Sequence, residues 1–185
     1  VIGGQSNAEL NLVRCLEVTP DIAATMDESM PIRLFRQTQN GAINAKRFYN
    51  MPSRDIIRPD WCWKRPDAEA AKEFSAIGYY FARIMAQQVA VPFGIVMMCA
   101  GGACLRELMP VELGNALGYT TGANMPVGGY YNTLIHPLLG LQYTGQIFFQ
   151  GESEGIWKEM ALSYDTDLAA FVEDERRRFG FDFPF

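Results

Sequence analysis

The chain has 185 residues, 49% of them apolar, with a mean hydropathy of −0.05; that fits one ordinary globular domain spanning residues 1–185 and argues against two. Sixteen Lys and Arg face twenty-one Asp and Glu, a net charge of −5. The one basic run is Arg176-Arg177-Arg178, which makes nucleic acid a poor partner, and no apolar stretch approaches the roughly 20 residues of a membrane helix.

Val1 to Gly3 reads as the end of a buried strand, followed at once by the turn Gly4-Gln5-Ser6-Asn7. From Glu9 to Val18 the residues Leu10, Leu12, Val13 and Leu16 recur at roughly helical spacing, and Thr19-Pro20 ends the segment. Pro31 to Arg36 alternates apolar and basic residues, a half-buried strand pattern. From Thr38 to Pro66 the pattern is irregular, a long surface excursion carrying Trp61 and Trp63. Those rings are either stacking platforms for a sugar or caps over the core.

Phe74, Ile77, Gly78, Phe81, Ala82, Met85 and Val89 form the stripe of an amphipathic helix, with Pro92 on its far side. Gly94 to Cys99 is a continuous apolar run of strand length, as in a parallel sheet covered on both faces. Ala100-Gly101-Gly102-Ala103 follows it. Pro110 to Gly129 reads as loop, and Tyr130 to Leu141 as an apolar stretch holding the single histidine, His136. A strand over Gly145–Phe149 leads into the turn Gln150-Gly151-Glu152-Ser153-Glu154. The last helix runs from about Met160 to Phe179. Leu162, Leu168, Phe171 and Val172 lie on one side, Asp165 and Asp167 belong to a solvated start, and Gly180 is the C-terminal cap.

Strands alternating with helices predict an α/β domain with a mostly parallel sheet. Ligands of such sheets sit beyond the carboxyl ends of the strands, and three strands here end in donor-rich or reactive turns. A serine hydroxyl needs a base to become a nucleophile, and the oxyanion it creates needs preorganised donors. Ser6 would supply the hydroxyl and its own backbone N–H. Gly101 or Gly102 can bring a bare N–H close to a substrate, and the Gln150 side chain can supply a third donor. Gln5 and Asn7 read as supports of the turn, and Glu152 as a carboxylate orienting a water or a donor. In isolation, a serine such as Ser6 is more often a turn or helix N-cap residue than a nucleophile.

Taken in order, Gly4-Gln5-Ser6-Asn7, then Gly94-Ile95 leading to Gly101-Gly102, then Tyr131-Asn132 with Ile135-His136-Pro137-Leu138, then Gln150-Gly151-Glu152-Ser153 resemble the blocks of the sialate O-acetylesterase branch of the SGNH hydrolase superfamily, which also holds acetylxylan esterases. The resemblance implies a flavodoxin-like three-layer α/β/α sandwich and removal of acetyl groups from sugars, with no metal or other cofactor. It matches Ser6 to the nucleophile, Gly102 to the oxyanion glycine and Gln150 to the side-chain donor. The family takes its base and orienting acid from a late Asp-x-x-His. No such block lies in these residues, so both ends are expected to be cut through elements of a longer chain. Export is implied by the resemblance.

His136 lies in an apolar run before a proline, where a packed histidine is commonplace, and its position does not match the family's base. The four cysteines, Cys15, Cys62, Cys99 and Cys104, lack C-x-x-C spacing, and one histidine cannot complete a Cys/His zinc site. Disulfide pairing, redox compartment and oligomeric state stay open. The reading that follows is a serine esterase acting on an acetylated carbohydrate through an acyl-enzyme. Its alternatives are a carbohydrate-binding domain without the base, and a lipase or thioesterase with an apolar acyl channel.

Overall fold

The computed structural model describes residues 1–15, 29–36, 48–57, 61–119 and 127–185. The chain divides into two compact units. The first takes the described residues of Val1–Thr38, Pro59–Gly101 and Ile147–Phe149; the second takes those of Gln39–Arg58, Gly102–Gln146 and Gln150–Phe185.

The first unit is built on a five-stranded sheet: β1 (Ile2–Gly4), β2 (Ile32–Arg36), β3 (Trp63–Lys64), β4 (Phe93–Cys99) and β5 (Ile147–Phe149), in the spatial order β3-β2-β4-β1-β5. All pairings are parallel except that of β3 with β2. The expected α/β class with a mostly parallel sheet is therefore present. Gly4 lies in register with Cys99 on one side and with Phe149 on the other, so the chain leaves the sheet three times at the same edge.

Helix α4 (Ala76–Gln88) covers this sheet. Ser75 caps it, accepting from the Gly78 N–H at 3.2 Å and donating to the Ala8 carbonyl at 2.6 Å. A Cβ on Gly78 would stand 3.1 Å from Ile2 and 3.2 Å from Ile95 and Phe74, so glycine lets the helix approach the strands. Ala76, Tyr79 and Ala82 are buried on that face with Ile2, Ile32, Leu34 and Met97. Each large apolar side chain so buried contributes about 1.5–3 kcal/mol. The helix is where the sequence places it, and most of the expected stripe faces the core: Phe74, Gly78 and Ala82 are buried and Ile77 packs against them. Only its two edges fail, since Phe81 and Val89 are exposed, while Tyr79, absent from the expected stripe, is fully buried.

Other differences are local. The helix expected from Glu9 starts earlier, as α1 (Ser6–Glu9), and breaks before α2 (Leu12–Cys15). There Asn11 bridges to Ser75, Leu12 N–H donates to Phe74 and Ala76 N–H to Leu10. The expected stop at Thr19-Pro20 lies outside the described residues. Part of the supposed excursion is the edge strand β3, and Trp63 stands tilted against Phe35, ring centroids 5.3 Å apart, and over Gly94. This Trp packs on the sheet edge. A further helix, α3 (Ala68–Lys72), starts at Asp67, whose carboxylate accepts from the Ala70 N–H at 2.7 Å.

The second unit is helical. It holds α5 (Leu105–Leu108), α6 (Val111–Ala116), a π turn over Tyr131–Ile135 with a 3-10 turn over His136–Leu138, and the long α7 (Lys158–Phe179), capped by Gly180 as expected. The stretch from Pro110, read as loop, thus begins with a short helix; Pro110 stands at its N-cap, where a missing N–H costs nothing. The buried face of α7 holds Met160, Asp167, Phe171, Asp174, Glu175 and Phe179, while Leu162 is exposed. Asp167 is therefore not a solvated helix-start residue. Its carboxylate accepts from the Tyr119 hydroxyl and, at 2.8 Å, from Ser163. Asp165 is exposed, as read. Asn132, 1% exposed, clamps the 52–56 stretch: its Oδ1 accepts from Arg54 N–H at 3.0 Å, its Nδ2 donates to Pro52 and its carbonyl accepts from Ile56.

Candidate active site

In the first unit, Ser6 stands directly after β1 as the first residue of α1, and it is exposed. The turn before it is tightly determined. Gly4 has φ +131°, and a Cβ there would fall 2.0 Å from the Phe149 carbonyl oxygen, so no other residue fits without parting β1 from β5. Gln5 is buried; its N–H donates to the same Phe149 carbonyl at 3.0 Å and its own carbonyl accepts from Glu9 N–H at 2.8 Å. Asn7 is exposed beside Ser6. Among the described residues no group hydrogen-bonds the Ser6 hydroxyl.

Gly101 lies at the same edge, beyond β4, where Ala100 N–H continues the ladder to the Gly4 carbonyl at 3.0 Å. The Glu9 carboxylate lies against Gly101, its Oε2 2.9 Å from where a Gly101 Cβ would stand. Burial raises the Glu9 pKa most; the Gly101 hydrogen bond, Arg36 and Arg14 pull it back. Cys99, at the strand end, is buried with its thiol on the Ile2 carbonyl at 3.4 Å, and burial pushes its pKa far up. No disulfide joins the four cysteines.

In the second unit Gly102 has φ +74°, and nothing lies within 4 Å of where its Cβ would be. It is exposed, and among the described residues its N–H meets no acceptor. Gln150 is half-buried, its Nε2 donating to the Ala103 carbonyl at 3.1 Å and also meeting the Glu154 carboxyl. Glu152 is exposed. The buried acid of this block is instead Glu154, 4% exposed, which accepts from the Leu105 N–H. Sequence reasoning passed over Glu154 and over Ser153, whose hydroxyl donates to the Gly102 carbonyl at 3.1 Å. The available signal was the spacing of two acids in Gln150-Gly-Glu-Ser-Glu154. Burial raises the pKa of Cys104 to about 12, helped by Glu154 and Glu107, and that of Tyr164 to about 12, helped by Glu154 and Glu152.

His136 is also in the second unit. Its Nδ1 lies 2.8 Å from Asp55 Oδ1, and its ring meets Tyr131 edge-on at 5.7 Å. It is thus a packed, paired histidine.

No family model matches the chain. Two curated relatives do: sialate O-acetylesterase from Pongo abelii, 24% identical over 196 residues, and sialate O-acetylesterase from Homo sapiens, 23% identical over 195. Each match takes in 95% of this chain and 34% of the relative. Among solved structures, a carbohydrate acetylesterase from Xanthomonas citri superposes with a TM-score of 0.77 at 25% identity, over 97% of this chain and 38% of that one.

The chain is similar to the sialate O-acetylesterases over nearly its whole length. The chain spans about a third of the length of the curated relatives it matches.

Proposed function

We propose that the protein is a serine esterase that removes O-acetyl groups from an acetylated carbohydrate. What supports this above all is the setting of Ser6, an exposed hydroxyl at the carboxyl edge of a parallel sheet, on a turn that only Gly4 permits. The similar proteins, two sialate O-acetylesterases and a carbohydrate acetylesterase, point the same way.

In the proposed SGNH-type reaction, Ser6 Oγ attacks the acetyl carbonyl carbon while a base takes its proton. The tetrahedral intermediate collapses as the bond to the sugar oxygen breaks, and the protonated base returns its proton to that oxygen. Water then attacks the acetyl-enzyme, acetate leaves and Ser6 is regenerated. Ser6 N–H, Gly102 N–H and the Gln150 amide are the assigned oxyanion donors. Gln150 would exchange one of its present acceptors for the substrate oxygen, and Gly101, beside the Glu9 carboxylate, is assigned to shaping the turn. Gln5 and Asn7 support the turn, and Glu152 stands at the rim. The base is assigned to an Asp-x-x-His block outside these residues rather than to His136.

The test is turnover of p-nitrophenyl acetate and of an acetylated sugar by the full-length protein. Ser6→Ala abolishes both and His136→Gln keeps both. Undiminished turnover in Ser6→Ala would falsify the reading.

A further inference from the structure

The stretch from Gly102 to Leu105 has no regular structure until α5 begins, yet its backbone is held at every step. Ser153 Oγ donates to the Gly102 carbonyl at 3.1 Å, and Gln150 Nε2 donates to the Ala103 carbonyl at 3.1 Å. Cys104 N–H donates to Glu107 Oε2 at 2.7 Å, and Leu105 N–H donates to Glu154 Oε1. Three of these four ties come from one five-residue segment, Gln150 to Glu154. The two carboxyl oxygens of Glu154 are divided between Leu105 N–H and the Gln150 amide, so one buried side chain sets both the loop and the donor beside it. Ser153 and Glu154 are 9% and 4% exposed. Beside this fastened backbone stands the exposed Gly102 N–H, with no acceptor among the described residues.

A loop that only needed to be closed would not require four side-chain bonds across four residues. A donor meant for an oxyanion would, because its benefit depends on being aimed before the charge appears. We infer that Ser153 and Glu154 are positioning residues, which fix the backbone leaving Gly102, and so the residue whose N–H stands exposed, and orient the Gln150 amide for the developing oxyanion. This rests on the proposed esterase reading. Neither side chain touches substrate. Glu154 acts through Leu105 and Gln150, and Ser153 through the Gly102 carbonyl. A donor held loosely loses part of the ~100- to 1,000-fold that a well-aimed one supplies.

The experiment uses the full-length protein and reads two quantities. The first is hydrogen exchange at the Leu105 amide; the second is kcat and KM for p-nitrophenyl acetate, corrected for folded protein. Glu154→Ala accelerates Leu105 exchange by at least about tenfold, since its acceptor is gone. Ser153→Ala, the milder change, lowers kcat by about 10- to 100-fold with KM within about threefold, and Ser153→Thr, which keeps the hydroxyl, restores it. Leu105 exchange that does not change in Glu154→Ala, or kcat within twofold of wild type in both alanine variants, overturns the inference. Those failures are distinct from failure of the esterase reading, which shows as turnover that survives Ser6→Ala.

Discussion

Glu175 offers a quantitative test of the second unit. It lies on the inner face of α7, 2% exposed, with Oε2 accepting from Gln146 Nε2 at 3.2 Å and Oε1 buried without a partner among the described residues. Burial pushes its pKa from 4.5 up to about 8; the Asp174 charge adds to the rise and the Gln146 hydrogen bond opposes it. The folded state therefore holds this proton more tightly than the unfolded chain. Its contribution to stability is complete below pH 4.5, falls between 4.5 and 8, and is gone above 8. At about 1.4 kcal/mol per unit the ceiling is roughly 5 kcal/mol across that window, and about 3 kcal/mol is already lost at pH 7. Water entering the site on deprotonation lowers what is observed to about 1–3 kcal/mol. Glu175→Gln keeps the shape, replaces the acid O–H with an amide N–H and cannot ionise. Urea unfolding at pH 5, 7 and 9 should show the wild type losing stability with rising pH and the variant overtaking it by about 1–3 kcal/mol at pH 9. Two parallel curves over that range would refute the placement of a neutral acid inside the unit.

Two further substitutions test the turn and the clamp. Gly4→Ala sets a Cβ against the Phe149 carbonyl at a φ of +131°; we expect a loss of about 3 kcal/mol or more, read as a fall in the urea midpoint or as insoluble expression, and a midpoint unchanged from wild type contradicts the β1–β5 pairing. Asn132→Ala removes the acceptor of Arg54 N–H and the donor to Pro52. The expected cost is about 1–3 kcal/mol, with faster proteolysis near residues 52–57; cleavage as slow as in wild type would argue that the side chain does not hold that stretch.

The long elements were legible because their signals are local. A continuous apolar run marks β4, and caps such as Gly180 mark where α7 ends. The mostly parallel sheet followed from that alternation. What escaped depends on partners distant in sequence. Trp63-Lys64 is a strand only because β2 offers an edge, and no pattern of two residues reveals it. The face of α4 was read in its centre, Phe74, Gly78 and Ala82, but not at its edges: Phe81 and Val89 are exposed and Tyr79 is buried instead. Asp167 reads as a solvated acid and Glu154 carries no signal of its own, yet each is buried against a donor far along the chain, Tyr119 and Leu105 N–H. At the candidate site the turn after β1 could be read directly, since Gly4, whose conformation makes it, and the exposed Ser6 lie two positions apart. The fastening of the Gly102 loop could not, because it joins residues about fifty positions apart.

The central assignment is that Ser6 is the nucleophile, and covalent capture tests it most directly. The full-length protein is treated with a fluorophosphonate that mimics the tetrahedral intermediate, digested, and the modified residue located by mass spectrometry. The account predicts one phosphonyl group on Ser6, formed in step with loss of esterase activity. Loss of activity with the adduct on any other residue, and Ser6 unmodified, would contradict it.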